Sequence, residues 1–201
     1  MPRQPLTDDE LKTTRARILR EAAVIVGSNG IAGLSMRVLA KRMGLTPGAL
    51  YRYFPSKQEM LVSYWDDALR AVAERIEAID QTETHTPTAV SRMLFAYADF
   101  CIEDHDRFRL LFLEKDQDVG PELFQRSAGF APYDLLQRRV GRAIEDGYFL
   151  SDDADLVAQA LWAGTHGAVT LLITVNELEL KASLLDATIN AVLRGLSAKE
   201  I

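Results

Sequence analysis

Apolar residues recur along the chain at three- and four-residue intervals, so that it reads as helix after helix. Leu11, Ile18, Ala22 and Ile25 form the first stripe. Thr7 to Glu10 precedes it as a Thr-x-x-Glu capping box, with Leu6 and Leu11 placed as a hydrophobic staple, and Ser28, Asn29 and Gly30 end the helix. Met36, Leu39, Ala40 and Met43 form a second, shorter stripe behind Ser35, whose hydroxyl can accept from the orphan N–H groups of a helix start. Gly44 supplies a tight backbone, Leu45 an apolar plug, and Thr46-Pro47 opens a third helix with proline where its missing N–H costs nothing. Two short helices around a glycine turn predict a helix-turn-helix over residues 35–54. The first helix is its core partner, because such a pair is too small to bury its own apolar face.

Downstream, Ser56 to Glu59 is a second capping box, bracketed by Pro55 and Met60. Leu61, Trp65, Leu69, Val72, Ile76 and Ile79 then carry one stripe over about six turns. This long helix links a predicted N-terminal domain, residues 1–57, to a C-terminal domain, residues 58–201, and is a plausible lever between them. Gln81 to Thr86 predicts a loop, followed by helices over about Thr88 to Glu103, His105 to Lys115 and Pro132 to Asp146, the last closed by Gly147. Gly120-Pro121 breaks the chain within Asp118 to Ala131, its least regular segment. Two final helices span Asp153 to Val175 and Leu184 to Leu196. Ala160, Gly164, Gly167 and Ala168 gather small residues toward one side of the first of these, which suits a symmetric four-helix dimer interface or simple intrachain packing. The fold class is all-α.

The positions left over by the apolar stripes carry the chemistry. Gly48 and Ala49 are small enough for the start of the third helix to approach base edges, while Thr46 and Pro47 fix its beginning. Tyr51, Tyr53 and Lys57 supply two phenols and a cation suited to phosphate oxygens. Arg37, one turn into the preceding helix, suits a phosphate or a guanine edge, and Ser35 stands beside it. Arg15, Arg17 and Arg20 add cationic reach from the first helix or a solvated face.

The run LTPGALYRYFPSKQEML, with RARILREAAVIVGSNGIAGLSMRVLAKRMG before it, resembles the N-terminal domain of the tetracycline-repressor (TetR/AcrR) family of bacterial transcription regulators. The likeness covers about the first third of the chain and includes Gly44, Tyr51, the Tyr53-Phe54 pair and Lys57 in register; Tyr53 stands where that family often has histidine. It implies a homodimer whose recognition helices read the halves of a palindromic operator, and a C-terminal helical domain that binds an effector. The Trp162, His166, Gly167 pattern resembles a WHG-type C-terminal domain found in part of the family, in which the last two helices form the dimer. These features imply a repressor, kept in the cytoplasm and released from double-stranded DNA by a small molecule.

Charge distribution changes the picture more than total charge does. The chain's net charge of −6 is unusual for a DNA binder, but residues 1–57 carry 10 of its 23 Lys and Arg against 4 of its 29 Asp and Glu, which leaves 13 against 25 for residues 58–201. The basic residues are concentrated where the helix-turn-helix is. A single cysteine, Cys101, excludes an internal disulfide framework, and its place in the stripe Val90, Met93, Leu94, Tyr97, Cys101 makes it a buried apolar residue. No run is expected to reach membrane-spanning length. His85, His105 and His166 lack metal-ligand spacing, and neither a phosphate loop nor a nucleophile elbow is present, so no metal, cofactor or enzymatic activity is expected.

The candidate effector pocket draws on Trp65, Met93, Tyr97, Phe100, Cys101, Phe108, Phe112, Trp162 and His166, whose apolar character suits a hydrophobic or aromatic ligand. Two other readings stay open: a DNA-organising protein that needs no effector, and a helical module that binds protein.

Overall fold

The computed structural model describes residues 7–113, 130–150, 153–175 and 183–198. Among these residues the elements are α-helices, one short 3-10 turn and one π-helical turn, with an isolated antiparallel bridge between Phe149 and Ser197. The chain divides into two compact units, Met1–Asp67 with His105–Ser127, and Ala68–Asp104 with Ala128–Ile201.

In the first unit, α1 (Asp8–Asn29) begins at the expected capping box: the Thr7 hydroxyl accepts from the Glu10 N–H, and the Glu10 carboxylate accepts from the Thr7 N–H at 2.8 Å. That bond holds the Glu10 carboxyl below its ordinary range. Leu6, the other half of the expected staple, lies outside the described residues. Gly30 and a 3-10 turn, Ile31–Gly33, lead to α2 (Met36–Met43) and α3 (Pro47–Tyr51), and α4 (Lys57–Thr82) begins in this unit. Ile18, Ile25, Leu39, Leu50, Phe54 and Met60 are almost completely buried, each contributing about 1.5–3 kcal/mol of apolar transfer. As its stripe predicts, α1 packs on α2.

The segment after His105 departs from expectation. A single helix to Lys115 is replaced by α6 (His105–Phe108) and a π-helical turn, Arg109–Leu113, and both pack on α1 in the first unit. The approach is close: a β-carbon built on Gly27 would meet the Asp106 carboxylate at 2.0 Å. Phe108, Leu110 and Leu111 are buried, so the dense apolar cluster belongs to this packing.

The second unit holds the rest of α4 with α5 (Thr86–Ile102), α7 (Ala131–Glu145), α8 (Ala154–Thr174) and α9 (Leu184–Leu196). Gln81 and Thr82, expected in a loop, complete α4, and the Thr82 hydroxyl donates to the Ala78 carbonyl at 2.7 Å in the manner of a helical threonine. Arg139 of α7, almost fully buried, donates to Asp80 at 3.3 Å and to the Glu83 carbonyl, fixing α7 against the end of α4. Gly120-Pro121 and most of the irregular segment lie outside the described residues.

The expectation that no run reaches membrane-spanning length is overturned by α8. This 21-residue helix contains an 18-residue window with a mean hydropathy of 1.4, long and apolar enough by length and composition to cross a bilayer, although 39% of that window is buried. The apolarity has a packing cause, since α8 is covered by α5, α7 and α9 and buries Val157, Leu161, Thr165 and Val169 among them. Its small residues divide: a β-carbon built on Gly164 would lie 3.0 Å from Val192, and Ala168 is buried, which is intrachain packing, whereas Ala160 and Gly167 are exposed.

Candidate nucleic-acid interface

The turn between α2 and α3 is built by bonds of short range. Ser35 caps α2 by accepting from Val38 N–H at 3.2 Å. At the other end Gly44 takes a left-handed conformation, φ 67° and ψ 26°, donates to the Lys41 carbonyl at 3.2 Å, and is followed by Leu45 donating to Ala40 at 2.8 Å. These bonds satisfy carbonyls that the end of α2 would leave orphaned, and they reverse the chain within two residues. Thr46 then accepts from Ala49 N–H at 3.2 Å, with Pro47 in the first turn of α3. Leu50 points inward, fully buried, and sets the rotation of this helix.

With Leu50 inside, Thr46, Pro47, Gly48 and Tyr51 are outside, and Tyr51 is 48% exposed. A β-carbon built on Gly48 meets nothing within 4 Å, so the helix start presents bare backbone to an approaching surface. Ala49 and Tyr53 are half-buried. On α2, Ser35 and Arg37 are exposed, and Arg37 makes no ion pair among the described residues. Lys57 is half-buried and directs its ammonium to the Ile31 carbonyl at 3.4 Å, which spends one of its donors within the unit. Because α3 is only five residues long, its dipole adds little, and shape and hydrogen-bonding groups carry the site.

Arg15 behaves differently from its sequence expectation as a surface cation. Its guanidinium sits 4.1 Å from the centre of the Phe54 ring and donates to the Tyr53 carbonyl and, at 3.1 Å, to the Ser63 hydroxyl. It thereby ties the end of α3 and the start of α4 to α1. Arg17 and Arg20 remain exposed. Exposure also brings Val38, Lys41 and Arg52 to the surface of α2 and the end of α3; no spacing rule singles them out, since their side follows only once Leu39 and Leu50 are known to point inward. Arg42, by contrast, pairs with Glu21 of α1.

The effector candidates are divided between the two units. Trp65, Phe108 and Phe112 belong to the first unit, where Phe108 and Phe112 have ring centres 5.3 Å apart. Met93, Tyr97, Phe100, Cys101, Trp162 and His166 belong to the second. There the Tyr97 hydroxyl and His166 Nδ1 are 2.6 Å apart, Trp162 lies 5.7 Å from the His166 ring and Tyr133 lies 6.1 Å from Trp162. Burial raises the Tyr97 phenol far above its ordinary value and lowers the His166 imidazole, so both are held neutral, and the hydroxyl and Nδ1 share a hydrogen bond whose direction follows the imidazole tautomer. Cys101 is buried, as its stripe predicts. Among the described residues no group of three or more His, Cys, Asp or Glu is placed to hold a metal ion.

Residues 18–64 match the family model of bacterial regulatory proteins, tetR family. The HTH-type transcriptional repressor KstR of Rhodococcus jostii (strain RHA1) is 35% identical over 82 residues, 41% of this chain and 35% of that protein. The nucleoid occlusion factor SlmA of Haemophilus ducreyi (strain 35000HP / ATCC 700724) is 29% identical over 112 residues, 54% of this chain and 55% of that protein. The chain thus spans about half, or less, of the length of these relatives. A crystal structure of the TetR family transcriptional regulator PfmR from Thermus thermophilus superposes with a TM-score of 0.74 and 25% identity, covering 92% of this chain and 98% of that one.

Proposed function

We propose that this chain, which belongs to the tetR family of bacterial regulatory proteins, is a cytoplasmic, sequence-specific DNA-binding repressor that acts as a homodimer and is released from a palindromic operator by a small hydrophobic or aromatic effector. The observation that carries the reading is the start of α3: a helix rotated by buried Leu50 so that Thr46, Pro47, Gly48 and Tyr51 stand together on an open surface. Thr46 and Tyr51 offer hydroxyls to base edges and phosphates, Arg37 a guanidinium, and Ser35 an exposed position beside it. Gly48 lets the backbone come close.

One such helix spans few base pairs, and two about 34–36 Å apart read successive major-groove faces of a palindrome. The exposed Leu156, Ala160, Gly167 and Leu171 on α8 support pairing through the last two helices, where a second copy would cover them. An effector acts only if it favours one dimer geometry over another, and the Tyr97, Trp162 and His166 cluster offers it polar contacts within an apolar surround.

The test selects bound fragments from random and genomic duplexes and measures binding of the chosen site by anisotropy at several salt concentrations. An inverted repeat, a steep fall of affinity with salt and release by an apolar small molecule are expected. Equal affinity for random duplex would sink the reading. The similarity to a nucleoid occlusion factor favours a second reading, a DNA-organising protein without an effector. Sequence-selective binding that no small molecule relieves would support that alternative.

A further inference from the structure

Away from the helix-turn-helix, within the second unit, the first turns of α5 and the last turns of α9 enclose a cleft of about 200 Å³. Its walls are Thr88, Ser91 and Arg92 on one side and Asn190 and Arg194 on the other, with Pro87 and Leu193 beneath. We propose that this cleft binds a phosphate-type oxyanion.

Size limits the occupant first. Pockets for drug-sized ligands hold about 300–1,000 Å³, so this one takes a small group. Charge decides its sign: two guanidinium-bearing residues on different helices line one cleft, and no carboxylate lines it, although residues 58–201 carry 25 Asp and Glu against 13 Lys and Arg. Arg92 leans outward to Glu83 at 3.2 Å, and Glu83 is not part of the lining. Arg194 has no ion pair among the described residues. The remaining polar groups, the Ser91 hydroxyl and the Asn190 amide, are neutral donors without side-chain hydrogen bonds among the described residues, while the Thr88 hydroxyl is 2.7 Å from His85 Nδ1. Two guanidinium groups and two neutral donors on one lining suit the several oxygens of a phosphate, Arg92 turning in from Glu83 to reach it.

The experiment records ¹H–¹⁵N spectra of the full chain while inorganic phosphate replaces chloride at fixed pH and ionic strength. Saturable shifts are expected at the Ser91 and Asn190 amides and at the Arg92 and Arg194 side-chain N–H groups. Arg92→Gln and Arg194→Gln should each weaken binding about tenfold or more, Arg194→Lys less so because it keeps the charge without the fork, and Arg138→Gln, exposed on α7, should change nothing. A parallel titration with a short random duplex separates free phosphate from phosphate carried on DNA. Shifts that grow without saturating, binding that survives both glutamine substitutions, or movement of these amides with duplex alone would overturn the assignment. Both arginines are exposed, so their replacement leaves the fold in place to be measured.

Discussion

The turn between α2 and α3 and the polar cluster around Tyr97 are held by interactions of opposite range. In the turn every bond joins residues three to five apart: Ser35 to Val38, Gly44 to Lys41, Leu45 to Ala40, Thr46 to Ala49. In the cluster the Tyr97 hydroxyl meets His166, 69 residues along the chain. A site made of local bonds is fixed by its own sequence and only oriented by the core. One made of distant bonds exists only once helices have packed.

The largest expected effect falls on what orients the turn. Phe54 is buried beneath the Arg15 guanidinium, and Phe54→Ala removes the ring on which that clamp rests. A loss of about 3–5 kcal/mol is expected, read from urea unfolding. Hydrogen exchange should locate the loosening in residues 7–67. Uniform loosening over α8 and α9 as well would erase the distinction drawn between the regions.

Gly48→Leu separates surface from scaffold. Its β-carbon meets nothing within 4 Å and its backbone is not left-handed, so stability should move by less than about 0.5 kcal/mol. Affinity for the selected duplex should fall by at least about 1–3 kcal/mol, roughly ten- to a hundredfold, because the added side chain holds the helix off the base edges. Full affinity in anisotropy would mean that α3 does not enter the groove.

Gly44→Ala probes the turn's one left-handed residue. At φ 67° a β-carbon costs about 1–2 kcal/mol even though open space surrounds it, so the loss is conformational and a thermal melt should show it. If Ala is tolerated without loss, the local bonds do not hold the turn as described.

These differences explain what the sequence could disclose. Ser35, Gly44, Thr46 and Pro47 act on their neighbours, so their capping roles are legible: α2 begins and ends at them, and α3 begins at them. Arg15 was not legible, since nothing near position 15 says that Tyr53, Phe54 and Ser63 will surround it. An apolar cluster such as Phe108 and Phe112 states that it will be buried, not against what; the two residues belong to α1's unit. The stripe on α8 was ambiguous for the same reason. Gly164 serves Val192 of the same chain, and only exposure distinguishes Gly167 from it.

The smallest effect tests the long-range cluster through its protons. Burial lowers the His166 pKa below the ordinary value of about 6.5, so in the unfolded chain this imidazole takes up a proton at higher pH than in the folded one. The stability it contributes is therefore complete above about pH 6.5 and is lost as pH falls below it, because burial penalises the charged imidazolium. Urea midpoints at pH 7.5 and 5.5 should fall further for the wild-type chain than for His166→Gln. Tyr97→Phe should cost about 1 kcal/mol at pH 7.5. At pH 7.5 the two substitutions together should cost less than their sum, since each removes the same bond. Equal pH dependence in all three chains, or strict additivity, would show that Tyr97 and His166 are near neighbours without being coupled.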